Sequence, residues 1–183
     1  MREEKILKGK AYVLDDKIDT DQILPACYLT LVPTIPEERV ALGSHALSGL
    51  PERYPRFIKE GKNETEFTFV VAGRDFGCGS SREHAPVALS AAGVKAVIAE
   101  SYARIFFRNC IMTGSLFPLE TPVKLNERIK NGDELTLDLE ENTLTLPGGE
   151  KIQLTPLGAA GEVIEAGGIF EFARKSGMIS KKA

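Results

Sequence analysis

The sequence contains little cysteine, no long apolar run and no basic cluster, and each shortage excludes a class of protein. Its three cysteines lie far apart and form no C-x-x-C pair, so neither a disulfide framework nor a self-contained metal site is expected. No apolar stretch approaches the roughly 20 residues that span a bilayer. The net charge is −3, with no basic run before Lys181 and Lys182, which argues against a nucleic-acid-binding protein.

The length and composition predict one globular domain from a reducing compartment. A chain of 183 residues is long enough for a domain with a sizeable core and too short for two large domains. Residues 1–10 contain no apolar signal-peptide core, so secretion is not indicated. Together with the scarce cysteines, this favours a cytoplasmic protein.

Apolar periodicity predicts a mixed α/β domain, with residues 1–183 forming a single unit. Strands are predicted at 10–14, 66–72, 94–99, 116–119, 134–139, 143–147 and 151–155. Helices are predicted at 37–42, 87–92, 101–113 and 163–175, with Ser101 capping the third and Gly167 and Gly168 interrupting the last. Two successive β-α-β units indicate parallel strands, and the alternating segments after residue 133 indicate antiparallel hairpins.

A long irregular segment, residues 28–62, lies between the first two predicted strands. It contains four prolines and three glycines. Long connections of this kind often act as lids or recognition loops. Its position before the central motif favours a flexible recognition loop over a surface excursion without a role.

That motif, residues 73–86, carries glycines, two serines, Arg82 and His84 on one strand-to-helix turn. Such a turn directs backbone N–H groups toward the space before the helix, where the helix dipole is positive. An arginine there is electrostatically unfavourable, which indicates a carboxylate partner for Arg82. The same surroundings favour loss of a serine hydroxyl proton, so that the serine becomes a base. We therefore predict an anion site.

Several familiar motifs fail to match this turn. A Walker loop needs a lysine after its glycine, a dinucleotide fingerprint needs a third glycine, and a nucleophile elbow needs G-x-S-x-G; the turn has none of these. Ser80 and His84 are spaced as a hydrolytic pair, but no acid completes it. The purely structural alternative is a capping box formed by Ser80 and Glu83, although Pro86 fits poorly in such a helix.

A second polar segment, residues 15–23, contains four aspartates and ends on apolar residues. Asp side chains that hold a solvated turn explain it as well as a functional site does. Asp21 stands out because it lies close to an Ile-Leu pair, where its carboxylate would be partly shielded. A calcium loop is excluded because the D-x-D-x-D pattern with its glycine and distal glutamate is absent.

Four blocks occur in collinear order over nearly the whole chain: residues 19–23 (DTDQI), 77–85 (GCGSSREHA), 101–109 (SYARIFFRN) and 165–169 (EAGGI). They resemble the swivelling fourth domain of the aconitase superfamily. As a free-standing chain, the sequence is similar to the small-subunit family of 3-isopropylmalate dehydratase. The resemblance implies a swivelling β/β/α domain.

The resemblance also implies roles for individual residues. Ser80 would be the base that removes the C–H proton and returns it to the other carbon. Ser81 and the N–H groups around Gly79 would hold the anionic substrate, and Arg82 would bind a substrate carboxylate. Asp21 matches an acidic active-site residue whose role stays open.

The segment Leu29, Thr30 and Leu31 would face the variable side group of the substrate. Aconitase binds a third carboxylate with an arginine from this region, and the sequence shows no clear equivalent. Apolar residues there would suit an isopropyl group. Arg39 or Arg53 would matter only if a third carboxylate had to be bound.

The function implied is that of a hydro-lyase of leucine biosynthesis, active only with a large subunit in a heterodimer or heterotetramer. The large subunit would carry a 4Fe–4S cluster, and this chain would hold no cofactor. Homoaconitase, citraconate isomerase and methylthioalkylmalate isomerase differ only in the substrate side group and remain alternatives. A non-catalytic assembly or regulatory subunit that binds a dicarboxylate is an alternative of another class. A processed plant protein of this family would lie in the plastid stroma.

Overall fold

A computed structural model describes residues 5–179 of the chain. The strands are β1 (Ile6–Val13), β2 (Phe67–Ala72), β3 (Ala96–Ala99), β4 (Phe117–Glu120), β5 (Glu134–Asp138), β6 (Thr143–Thr145) and β7 (Lys151–Gln153). The helices are α1 (Thr20–Ile23), α2 (Pro36–Ser44), α3 (His84–Ala91), α4 (Arg104–Thr113), α5 (Ala159–Ala166) and α6 (Ile169–Lys175). Short 3₁₀ turns occupy Ala26–Tyr28 and Leu125–Glu127.

The strands form one sheet in the order β4-β3-β2-β1-β5-β6-β7. The first four strands of this order are parallel to one another. The pairs β1–β5, β5–β6 and β6–β7 are antiparallel. The prediction of a parallel part followed by antiparallel hairpins is therefore confirmed. β1 is the strand at which the two parts meet.

Apolar side chains cover both faces of the sheet. On β2, Val70 and Ala72 join the core that includes residues of α3 and α4, whereas Phe69 and Val71 join the core on the opposite face. Burial on both faces explains why the parallel strands are nearly continuous apolar runs in the sequence. Because β1, β2 and β3 run parallel, their carboxyl ends meet along one edge of the sheet.

Residues 28–62 contain more regular structure than their composition predicts. Helix α2 begins at Pro36, one residue before the predicted start, and extends to Ser44, two residues beyond the predicted end. It packs closely on α3, since a Cβ on Gly43 would lie 2.7 Å from the carbonyl carbon of Ala91. Leu47 and Phe57 of the same segment are buried in the core. The flexibility of the segment stays a prediction.

Several predicted boundaries are wrong, and tertiary contacts explain the differences. β1 begins at Ile6, before the predicted residue 10, because its polar first half pairs with β5. Helix α4 begins at Arg104, and Ser101 does not cap it, because the Ser101 Oγ accepts a hydrogen bond from the Asp75 N–H at 3.0 Å. The last helical region begins at Ala159, before the predicted residue 163, whereas its predicted interruption at Gly167 and Gly168 is confirmed, since they separate α5 from α6.

Pro86 sits comfortably in α3, in contrast to its expected misfit. The helix begins at His84, so Pro86 is its third residue. The first four N–H groups of a helix have no partner within it, and a missing one costs nothing there.

Across residues 5–179, the helices are all too short or too polar to cross a membrane.

Candidate active site

The turn that follows β2 is bound on one side to the segment that follows β1. The Gly77 N–H donates to the Ile18 carbonyl at 2.8 Å, and the Thr20 N–H donates to the Cys78 carbonyl at 2.9 Å. Gly77 has a φ of 76°, a conformation that only glycine adopts readily. These backbone bonds bring residues 18–21 alongside the turn without depending on its side chains.

The segment before α4 holds the other side of the turn. The Ala103 N–H donates to the Phe76 carbonyl at 3.0 Å. The buried Phe76 ring meets the Phe106 ring edge-on, with 5.1 Å between centroids. A Cβ on Gly77 would lie 2.3 Å from Phe106 Cγ, so the turn fits tightly against α4. The turn is therefore fixed from two directions.

Arg82 and Asp21 form a two-pronged ion pair across this edge of the sheet. Arg82 Nη1 donates to Asp21 Oδ1 at 2.6 Å, and Nη2 donates to Oδ2 at 2.8 Å. Nη1 also donates to the carbonyl of Leu24 at 2.9 Å. The Arg82 side chain is only 9% exposed, whereas that of Asp21 is 63% exposed. The carboxylate partner expected for Arg82 thus belongs to the protein itself.

The pair leaves one edge of the guanidinium free. An arginine side chain has five N–H groups, and the three bonds above use three of them. Among residues 5–179, no side chain or carbonyl accepts a hydrogen bond from Arg82 Nε. Nε–H and the second Nη2–H share one edge of the planar group, which matches the two oxygens of a second carboxylate. Arg82 can therefore bind a carboxylate ligand while it remains paired with Asp21.

Hydrogen bonding with Arg82 is the main cause that lowers the pKa of Asp21 below its ordinary value. The carboxyl group is therefore ionised at neutral pH, and Arg82 favours this charged form. Its negative charge offsets the positive charge of Arg82. The Asp21–Arg82 pair as a whole therefore contributes little net charge toward a dianionic ligand.

Ser80 is exposed on the turn and lies beside Thr20, which is 1% exposed. The Thr20 hydroxyl donates to the Ser80 carbonyl at 3.1 Å, and the two hydroxyl oxygens are 3.4 Å apart. Thr20 itself is fixed by α1, where Asp19 and Gln22 form a capping box. A buried hydroxyl thus supports the exposed one.

The capping-box interpretation of Ser80 is wrong. The residue before α3 is Glu83, and no side chain caps that helix with a hydrogen bond. Tertiary contacts with α1 decide the place of Ser80 instead. A capping box instead occurs at Asp19 and Gln22, in the segment for which the sequence allows either a turn with aspartates or a functional site.

The remaining predicted site residues lie on the turn or near the start of α3. Gly79 and Ser81 are exposed, and Gly79 has a φ of 95°. Thr30 is exposed, while Leu29 and Leu31 are half-buried. The carbonyl of Leu31 lies 3.0 Å from His84 Nε2. We call residues 29–31 the recognition segment. The contact between Leu31 and His84 joins this segment to α3, the helix that follows Ser80 and Arg82.

Comparison with known proteins shows the family to which the chain belongs. A family model described as the aconitase C-terminal domain matches residues 50–124. The 3-isopropylmalate dehydratase small subunit 3 of Arabidopsis thaliana is 54% identical, over 93% of this chain and 70% of its own length. The chain belongs to the family of 3-isopropylmalate dehydratase small subunits. The resemblance inferred from the sequence is thereby confirmed.

Archaeal relatives of this small-subunit family are also similar. The methanogen homoaconitase small subunit of Methanocaldococcus jannaschii is 40% identical, over 97% of this chain and 96% of its own. A crystal structure of 3-isopropylmalate dehydratase from the same organism matches with a TM-score of 0.77 and 36% identity, covering 94% of this chain and 96% of that one. The predicted fold class, an α/β domain of the aconitase-type small-subunit kind, is confirmed.

The cysteines of this small subunit stay apart in the structure. Cys27 is exposed, Cys78 is half-buried and Cys110 is buried, and all three are free. Within residues 5–179, His, Cys, Asp and Glu side chains do not gather in groups of three or more that could hold a metal ion.

Two contact residues escaped the reasoning from sequence. Thr20 lies in the DTDQI block, and its hydroxyl carries no signal that it would reach Ser80, 60 positions later. His84 was considered only as a hydrolytic partner of Ser80, yet its ring binds Leu31. Both contacts join segments far apart in the chain, which a spacing rule for helices or strands does not reveal.

Proposed function

We propose that this chain is the catalytic small subunit of a 3-isopropylmalate dehydratase, a hydro-lyase that interconverts 2- and 3-isopropylmalate in leucine biosynthesis. The observation that carries this proposal is that two contacts join the same two segments at one edge of the sheet: Ser80 lies against Thr20, and Arg82 pairs with Asp21. A hydroxyl that serves as base and a free guanidinium edge are the two functions that α-proton removal from a carboxylic acid requires.

In this proposal Ser80 acts as an alkoxide, toward which the Thr20 hydroxyl turns its hydrogen from the Ser80 carbonyl. The alkoxide takes the proton from the carbon next to a carboxylate and becomes a hydroxyl, while hydroxide leaves the neighbouring carbon. Hydroxide then adds to the carbon that lost the proton, and Ser80 returns its proton to the other carbon, which regenerates the alkoxide. Arg82 holds the carboxylate through its free edge, and Ser81 and Gly79 contact the same group.

The site is half of an active centre in this proposal. The large subunit binds over the exposed turn, in a heterodimer or heterotetramer, and carries a 4Fe–4S cluster. When bound, that cluster supplies a Lewis acid for the substrate hydroxyl. This chain supplies the base, the carboxylate clamp and the contacts to the substrate side group. Three free cysteines suit a reducing compartment, which we take to be the cytoplasm or the plastid stroma.

An apolar substrate side group fits the recognition segment best. Leu29 and Leu31 are half-buried, and the segment itself offers no cation. Arg53 is paired with Asp15 at 2.9 Å, and Arg39 Nη2 lies 3.4 Å from the Ser90 hydroxyl on α3. Both arginines thus have partners away from the segment, which favours isopropylmalate over a substrate with a third carboxylate.

Anaerobic co-expression with candidate large subunits tests the proposal. The unsaturated intermediate is followed from 3-isopropylmalate and from a panel of other alkylmalates and homoaconitate. We expect no turnover by the isolated chain, and in the complex we expect 3-isopropylmalate to give the highest kcat/KM. Faster turnover of homoaconitate would assign the chain to the activity named for its methanogen relative. Dicarboxylate binding without turnover would instead identify a non-catalytic subunit.

Exchange of Thr20 for valine is expected to lower kcat by about 10- to 100-fold with little change in KM. The buried hydroxyl is lost while the shape is kept, and a hydrogen bond to a charged group such as the Ser80 alkoxide is worth about 1.5–3 kcal/mol. Thr20→Ser, which retains the hydroxyl, should recover most of the activity. Steady-state kinetics of the reconstituted complex measure both. Equal kcat values in Thr20→Val and the wild type would remove Thr20 from the mechanism.

A further inference from the structure

The His84 side chain connects the catalytic turn with the segment that faces the substrate side group. His84 is the first residue of α3 and follows Arg82 by two positions. Its half-buried ring places Nε2 3.0 Å from the Leu31 carbonyl oxygen. A carbonyl oxygen only accepts hydrogen bonds, so Nε2 carries the proton and donates. The His84 ring therefore joins α3, which follows the catalytic turn, to residues 29–31 through one hydrogen bond of defined direction.

The other bonds of the recognition segment are local. The Leu29 N–H donates to Ala26 at 3.2 Å, and the Leu31 N–H donates to Tyr28 at 3.2 Å. Tyr28 in turn stacks on the His45 ring, with 3.8 Å between centroids. Within residues 5–179, the hydrogen bond from His84 is the one that joins the backbone of residues 29–31 to α3.

Resting on the proposed function, we propose that His84 is a positioning residue that sets substrate discrimination. It fixes the backbone of residues 29–31 at a set distance from Ser80 and Arg82. That distance determines how large a side group fits when the carboxylate is bound. The substrate class it favours is a hydroxydicarboxylate with a small branched apolar side group, because Leu29 and Leu31 are apolar and half-buried. Apolar pockets discriminate one methylene group by about 10- to 200-fold.

Two substitutions of His84 separate the hydrogen bond from the ring. His84→Gln retains an N–H donor of similar reach, whereas His84→Leu removes it. In the reconstituted complex, His84→Leu is expected to lower the preference for 3-isopropylmalate over methylmalate, measured by their kcat/KM values, by about 5- to 10-fold. The loss should arise chiefly because 3-isopropylmalate binds less tightly and its KM rises. This range corresponds to one neutral hydrogen bond. His84→Gln is expected to restore the preference to within about twofold.

A uniform fall in kcat for both substrates, or an unchanged preference in an active His84→Leu complex, would overturn the assignment. Amide hydrogen exchange on the isolated subunit gives an answer independent of activity. Residues 29–31 should exchange faster in His84→Leu and at the wild-type rate in His84→Gln. Unchanged exchange overturns the inference, whether or not the wild-type complex is active. An inactive wild-type complex, by contrast, counts against the proposed function alone. His84→Asn, whose amide is too short to reach Leu31, replaces His84→Leu if that variant does not fold.

Discussion

Substitution of Ser80 by alanine is expected to lower kcat of the reconstituted complex by about 10²- to 10⁴-fold, the usual contribution of a general base. The KM should change little, because the free edge of Arg82 still holds the carboxylate. The unfolding temperature of the subunit should stay nearly unchanged, since Ser80 is exposed and caps no helix. Steady-state kinetics and thermal unfolding measure the two effects separately.

Ser48→Ala provides the matched control for this experiment. Ser48 is also exposed but lies in the segment after α2. Its N–H donates a hydrogen bond to the His45 carbonyl and not to any residue of the turn. Its substitution should leave kcat and KM at wild-type values. Turnover within a few-fold of wild type in Ser80→Ala would show that another group is the base. Loss of folding would be evident from the unfolding curve.

Exchange of Arg82 for lysine is expected to raise KM by about 10- to 100-fold, which corresponds to the 1.5–3 kcal/mol typical of a hydrogen bond to a charged group. A lysine keeps the positive charge but has no planar edge, so it cannot bind Asp21 and a substrate carboxylate in two-pronged fashion at once. Isothermal titration of a substrate analogue to the complex, together with KM, measures the loss.

Arg53→Lys is the control because Arg53 also pairs with an aspartate, Asp15, but both side chains are largely exposed. It should have almost no effect on KM, since exposed ion pairs contribute little. An Arg82→Lys complex with wild-type KM would show that substrate binding does not use the guanidinium edge. The charge alone would then be sufficient at this position.

The pair of Asp21 with Arg82 also predicts a pH dependence of stability. Arg82 lowers the pKa of Asp21, so the folded state binds this proton less readily than the unfolded state. The stabilisation is complete above the ordinary aspartate pKa of about 3.9 and is lost as the pH falls through the lowered pKa. The difference in unfolding temperature between wild type and Asp21→Asn should therefore shrink as the pH falls below about 3.9.

The regular elements could be predicted from sequence wherever burial alone decides them. β2 and β3 are apolar on both faces, and the hairpin strands β5, β6 and β7 alternate between buried and exposed residues. Residues 6–9 of β1 lie outside the predicted strand because Lys8 and Gly9 carry no such signal. Its pairing with β5 comes from strands that are more than 120 positions apart.

The site could be located from sequence but not assembled. Local chemistry marked the turn and indicated that Arg82 needs a carboxylate. The identity of that carboxylate depends on how β1 lies beside β2, because Asp21 is 61 positions away. Similarly, the choice between a capping serine and a free one depended on where α3 begins. The roles of Ser80 and Arg82 in turnover stay proposals, which Ser80→Ala and Arg82→Lys test.

The position of β1 between the two parts of the sheet bears on the order in which the chain acquires its site. The contacts that fix the turn join residues 18–21, 76–82 and 103–106, and all of these precede β5. On a ribosome, these segments leave the exit tunnel before the antiparallel strands are made. A nascent chain could thus assemble the base and its clamp while one edge of β1 is still unpaired. That open edge would be the part of the unfinished subunit most exposed to pairing with another chain.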